Sequence, residues 1–111
     1  MTLDKAANSS LTFSDLPPEE ALSWANRMTN HSTPSFKEKL TYPGYNDVNV
    51  HYIACEKDKI IPYEAQSGMV GMITSSTGRD VQVHKMDSDH APIATRADDV
   101  SAIVKKVLDT L

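Results

Sequence analysis

The chain has 111 residues, enough for one small domain and too few for two. Its formal net charge is −4 and its eleven basic residues are scattered rather than striped, which argues against a phosphate-tracking surface and so against a nucleic-acid partner. No apolar run approaches the roughly 18–20 residues that cross a bilayer, and the opening MTLDKAANSS lacks the apolar centre of a signal peptide, so no membrane partner and a cytosolic location are expected.

In chain order, residues 1–10 are polar without a period and read as a disordered or loosely held lead-in. In "FSDLPPEEALSWANRM", Pro17 and Pro18 suit a helix start and Glu19 and Glu20 favour its positive end. Ala21, Leu22, Trp24, Ala25 and Met28 then fall on one face, with Trp24 as a packing anchor. Residues 30–47 carry two prolines, a glycine and no sustained period, as a loop crossing a surface does. The N-x-S sequons at Asn8 and Asn30 carry no meaning without a secretion signal.

"VNVHYIAC", residues 48–55, starts with alternation and ends in a continuous apolar stretch, which predicts a strand buried on both faces of a parallel sheet. Cys55 is the only cysteine, so no internal disulfide and no thiolate cluster can form, and it is expected to be a small buried residue of that strand. "PYEAQSGMVGMITS" predicts a helix from Pro62, weakened by Gly68 and Gly71 and closed by Gly78. "VQVHKM" predicts a second strand with Val81 and Val83 on one face and Gln82 and His84 on the other. Met69, Met72 and Met86 are expected to fill the core. Thr95 and Asp98 have the spacing of a capping box, and behind them Ala97, Val100, Ile103, Val104, Val107, Leu108 and Leu111 mark a closing amphipathic helix. From residue 48 onward the order is strand, helix, strand, helix, which implies an α/β layer with a parallel strand pair.

Parallel strands send their following loops to one rim of the sheet, where reacting groups gather. Two polar loops leave there, "EKD" at 56–58 and "DSDH" at 87–90, so Asp58 and His90 are expected to meet. A carboxylate bonded to one imidazole nitrogen fixes the tautomer and stabilises the imidazolium formed when the other nitrogen takes a proton. Glu56 is a weaker candidate for that acid. His84, Asp87, Asp89 and His90 do not have metal-ligand spacing, because His84 lies on a strand face and His90 beyond its end, so no metal is expected. His31 and His51 have no partner that the sequence identifies.

"VHYIACEKDKIIPYEAQSGMV", followed by "DSDHAP" and a final amphipathic helix, resembles the C-terminal end of an α/β-hydrolase. It is most similar to the branch that holds plant methylesterases, hydroxynitrile lyases and a group of fungal hydrolase-like proteins. "FSDLPPEEALSWANRM" and "SFKEKLTYPGYNDVNV" resemble the end of the cap region in the fungal group. The resemblance covers residues 11–111 and implies a cap-like helix and loop over 11–47 and a strand-helix-strand-helix end of a hydrolase domain over 48–111. It further implies Asp58 as the acid, His90 as the base, no cofactor, a small ester or carbonyl substrate, and a setting in fungal secondary metabolism. The family's serine sits in a G-x-S-x-G-like elbow, and none of Gly44, Gly68, Gly71 or Gly78 belongs to one here. Two functions are therefore carried forward: a hydrolase-like chain with acid and base but no serine nucleophile, or a non-catalytic truncated remnant serving as an interaction or small-molecule-binding module. A two-stranded parallel sheet leaves apolar surface uncovered, so self-association or a companion fragment is expected.

Overall fold

The structure, a computed structural model, describes residues 4–111. It is a mixed α/β chain in which β1 (His51–Cys55) and β2 (Gln82–Met86) form a two-stranded parallel sheet, with His51 opposite Gln82 and Cys55 opposite Met86. The helices are α1 (Lys5–Thr12), α2 (Pro18–Asn26), α3 (Pro34–Lys37), α4 (Tyr63–Thr77), α5 (Pro92–Thr95) and α6 (Ala97–Leu108).

The expected loose lead-in is corrected over most of its length: residues 5–12 form α1, while residues 1–3 lie outside the described residues. The Asp4 carboxylate accepts from the Ala7 N–H at 3.1 Å and so caps the helix start. The face that α1 buries against α2 carries Ser9 and Thr12, which explains why no apolar period marks the segment. Pro18 opens α2 as its composition predicts, and Ala21 and Ala25, one turn apart, let α1 approach closely. Phe13, Ala21 and Ala25 make the apolar cluster, with Leu16, Trp24, Met28, Ala91 and Ala94 around it. Trp24 is therefore an anchor, with its ring 6.1 Å from that of Phe13.

The alternation of a strand divides the sheet into two faces. Ala54, Val83 and Lys85 face the α4 side with Tyr63, Gln66 and Val70, whereas Ile53 and His84 face Ile103 and Val107 of α6. Gly78 ends α4 at φ +68°, the left-handed region that other residues avoid, with its N–H on Thr74 O at 2.9 Å. The Arg79 guanidinium donates to the carbonyls of Asn46 and Val48 at 2.8 and 2.9 Å, fixing the loop that enters β1.

Three expectations fail for the same reason: two strands and their helices do not enclose a sheet. Only Ala54 and Cys55 of β1 are buried, not the whole strand; Val104, Leu108 and Leu111 of the closing segment remain exposed; and of the methionines expected in the core, Met86 is buried but Met72 is exposed. The capping box is also corrected, since the Thr95 hydroxyl donates to Asp89 and Ala91 O and α6 has no side-chain cap. The Cα radius of gyration is 15.7 Å, against about 13 Å for a compact chain of this size, so the molecule is open.

Candidate acid–imidazole site

Both strands end at one rim, and the loops beyond them are bonded directly to each other. Glu56 N–H donates to Met86 O at 2.9 Å, and Lys57 N–H to Ser88 O at 3.0 Å, which extends the ladder into the two loops. Asp58 and His90 meet as a result, with His90 Nδ1 2.8 Å from Asp58 Oδ2. The Asp58 side chain is only 5% exposed, whereas that of His90 keeps 32%.

Asp58 is held on its other oxygen as well, where Oδ1 accepts the N–H groups of Ile60 and Ile61 at 2.7 and 2.9 Å. Burial pushes its carboxyl pKa up, but the bonds from His90 and from the Ile61 and Ile60 amides push it down and win, so the net shift is below the ordinary 3.8. An ionised carboxylate only accepts, so Nδ1 carries the proton in this pair and Nε2 is left as an acceptor. A pKa lower in the folded than in the unfolded chain gives stability that is complete above 3.8 and disappears as pH falls through the native value. Asp58→Asn should therefore be less stable than the wild type at neutral pH, and the gap should narrow as the pH falls below 3.8 in urea unfolding. A gap that does not vary with pH would contradict the assignment.

Glu56, one residue beyond β1, is exposed, and the carboxylate bonded to His90 is that of Asp58. Two residues that did not stand out in the sequence position the site. Gln66 of α4, 2% exposed, imitates a neighbouring strand: Oε1 accepts Cys55 N–H at 2.9 Å, and Nε2 donates to Cys55 O at 2.9 Å and to Ile61 O at 2.8 Å. It therefore ties the end of β1 to the loop that carries Asp58. Asp89, fully buried, does the same for the His90 loop: Oδ1 accepts Ala91 N–H at 3.0 Å and the Thr95 hydroxyl at 2.9 Å, while Oδ2 accepts Asp15 N–H at 3.0 Å. Asp15 returns the bond by accepting Asp89 N–H at 2.8 Å, joining the α1–α2 connection to the loop. The S/T-x-x-acid spacing drew attention to Thr95, yet its acid partner precedes it. Burial pushes the Cys55 thiol pKa up, which keeps it protonated beside the site.

Beyond the site, His51 Nδ1 lies 3.1 Å from His84 Nε2 across the strands, a partner the sequence did not suggest; His31 contacts Ser32, Ser35 and the Phe36 ring. Among the described residues no group of three or more His, Cys, Asp or Glu is placed to hold a metal, and no helix is long and apolar enough to cross a membrane.

The fold and this pair define a mixed α/β chain with a carboxylate–imidazole couple where two parallel strands end. The chain is 36% identical over 92 residues to a probable hydrolase, R7, of Phoma sp. (strain ATCC 20986 / MF5453). The match takes in 83% of this chain and 38% of the relative, so the chain spans well under half the length of the protein it resembles. No family model matches the sequence, and no solved structure matches it.

Proposed function

We propose that the chain is the acid-and-base portion of an α/β-hydrolase of the methylesterase and hydroxynitrile lyase branch, acting on a small ester or related carbonyl compound. The observation that carries this reading is the 2.8 Å bond between His90 Nδ1 and a buried Asp58 whose second oxygen is fixed by two backbone amides. The similarity to a probable hydrolase supports it. In the reaction, His90 Nε2 removes the proton of an attacking hydroxyl while that oxygen bonds to the ester carbonyl carbon; the carbon–oxygen bond to the leaving group then breaks, and His90 returns the proton to the departing alkoxide. Asp58 stabilises the imidazolium between those events. The attacking hydroxyl is a serine or a water supplied from outside this chain's own motifs, and so are the oxyanion donors. Without them an isolated chain loses several kcal/mol of transition-state stabilisation and keeps only a slow, His90-dependent turnover of activated esters. The single free thiol of Cys55 suits a cytosolic, reducing setting, and fungal secondary metabolism is the context that the resemblance favours.

A second reading, a binding or interaction module without catalysis, is favoured by the open build. Leu40, Ile93 and Leu111 are 72%, 80% and 89% exposed, and among the described residues no third strand pairs with either edge of the sheet. In this reading a second copy or a companion fragment covers the surface. Turnover of p-nitrophenyl acetate by the full chain and by His90→Ala separates the two. A rate that falls at least tenfold in His90→Ala supports the hydrolase reading, and equal rates reject it. Labelling by a fluorophosphonate would show that the chain itself contains an activated serine.

A further inference from the structure

His90 opens onto a cleft of about 530 Å³ between the end of α2, the segment that follows it and the loop carrying Asp58. Its polar lining comprises Arg27, His31, His90 and four neutral Asn and Thr side chains, its apolar lining Met28, Phe36 and Ile60, and among the described residues no carboxylate lines it. Asp58, the nearest acid to His90, is turned inward with both oxygens occupied by hydrogen bonds. Arg27 lies over the Trp24 ring at 5.0 Å, and no Asp or Glu among the described residues pairs with it. Among the described residues only Lys57 and Arg96 of the lysines and arginines pair with an acid, so what marks Arg27 is its place in the cleft onto which His90 opens. Guanidinium groups match carboxylates through two parallel N–H donors, and an aromatic face holds such a group flat.

We infer that this cleft takes a ligand with a free carboxylate, which Arg27 binds while an aliphatic body lies over Met28, Phe36 and Ile60. The inference deepens the reading given above, because it makes the substrate an ester that carries a carboxylate elsewhere in the molecule. It does not require turnover, only that the cleft at His90 is where the ligand sits. Arg27 is then a specificity-determining residue.

Trp24, the only tryptophan, reports on the cleft through Arg27. Hexanoate and methyl hexanoate have the same chain and differ in charge, so each is titrated into the full chain with Trp24 fluorescence as the readout. Hexanoate should bind at least about tenfold tighter than its ester, the effect of one charge-assisted contact, and added salt should weaken hexanoate alone. Arg27→Gln should abolish the preference and Arg27→Lys should restore part of it, which separates loss of charge from loss of fold. Equal binding of acid and ester, no binding of either, or a preference that survives Arg27→Gln would overturn the inference. If the preference holds while p-nitrophenyl acetate turnover does not depend on His90, the hydrolase reading fails alone. If that turnover depends on His90 while hexanoate is not preferred, only the carboxylate assignment fails.

Discussion

Asp89→Ala should be the most damaging single substitution in the chain, lowering stability by roughly 3–5 kcal/mol, a large share of the 5–15 kcal/mol that a small domain possesses. The reason is the number of donors it abandons in a site that water does not reach. Asp89 is fully buried and accepts from Asp15 N–H, Ala91 N–H and the Thr95 hydroxyl, all of which lose their partner together. Asp89→Asn should be milder, because one oxygen remains to accept on the Ala91 and Thr95 side. Asp15→Ala should be milder still, about 1 kcal/mol, since it removes a single acceptor from an exposed residue. Urea unfolding of the three variants checks the ranking. A stability for Asp89→Ala within about 0.5 kcal/mol of wild type would contradict the network.

Gln66→Leu should come next, at about 3 kcal/mol and roughly 12 °C or more in melting temperature. Leucine has nearly the volume of glutamine, so packing is conserved and the loss isolates the hydrogen bonds. Cys55 N–H and Ile61 O would lose their side-chain partner, and Cys55 O would keep only the long 3.4 Å bond from Asp58 N–H. The variant should also loosen the Asp58 loop, so amide exchange at Ile60 and Ile61, whose N–H groups bind Asp58, should accelerate more than exchange in α1. Uniform acceleration throughout the chain would mean that Gln66 supports the fold in general rather than this loop.

The elements that were legible in the sequence are those where local chemistry and tertiary demand agree. Pro18 with Glu19 and Glu20 announced α2, and Gly78 announced the end of α4. One apolar run and one alternating segment marked the parallel pair, and parallel strands necessarily bring Asp58 and His90 to one rim. What was not legible depends on polar groups that are buried. α1 hides Ser9 and Thr12, so its inner face has no apolar signature, and Gln66 and Asp89 are polar residues in polar-looking segments whose importance comes entirely from burial. The capping-box spacing at Thr95 misled because a carboxylate fixed in the preceding loop competes for the hydroxyl and takes it. Burial of β1 was overestimated because a continuous apolar run records what a strand could cover, and this sheet has too few neighbours to cover it.

The same polar network explains how so open a molecule can keep a defined site. Its apolar cluster is small and lies between α1, α2 and the His90 loop, away from the sheet. At the rim, order comes from side chains bonded to backbone: Gln66 on one loop, Asp89 on the other, and the ladder continued by Glu56 and Lys57 between them. Ion pairs add little, since Lys57 and Asp87, at 3.1 Å, are both more than half exposed and solvent screens them.

Asp58 holds the His90 ring by Nδ1 and leaves Nε2 as the basic nitrogen. Nitrogen-15 NMR of the imidazole side chains at neutral pH reads this directly. His90 should carry its proton on Nδ1 and show a strongly deshielded Nδ1–H that is lost in Asp58→Ala. A His90 protonated on Nε2, or a spectrum that Asp58→Ala leaves unchanged, would contradict it.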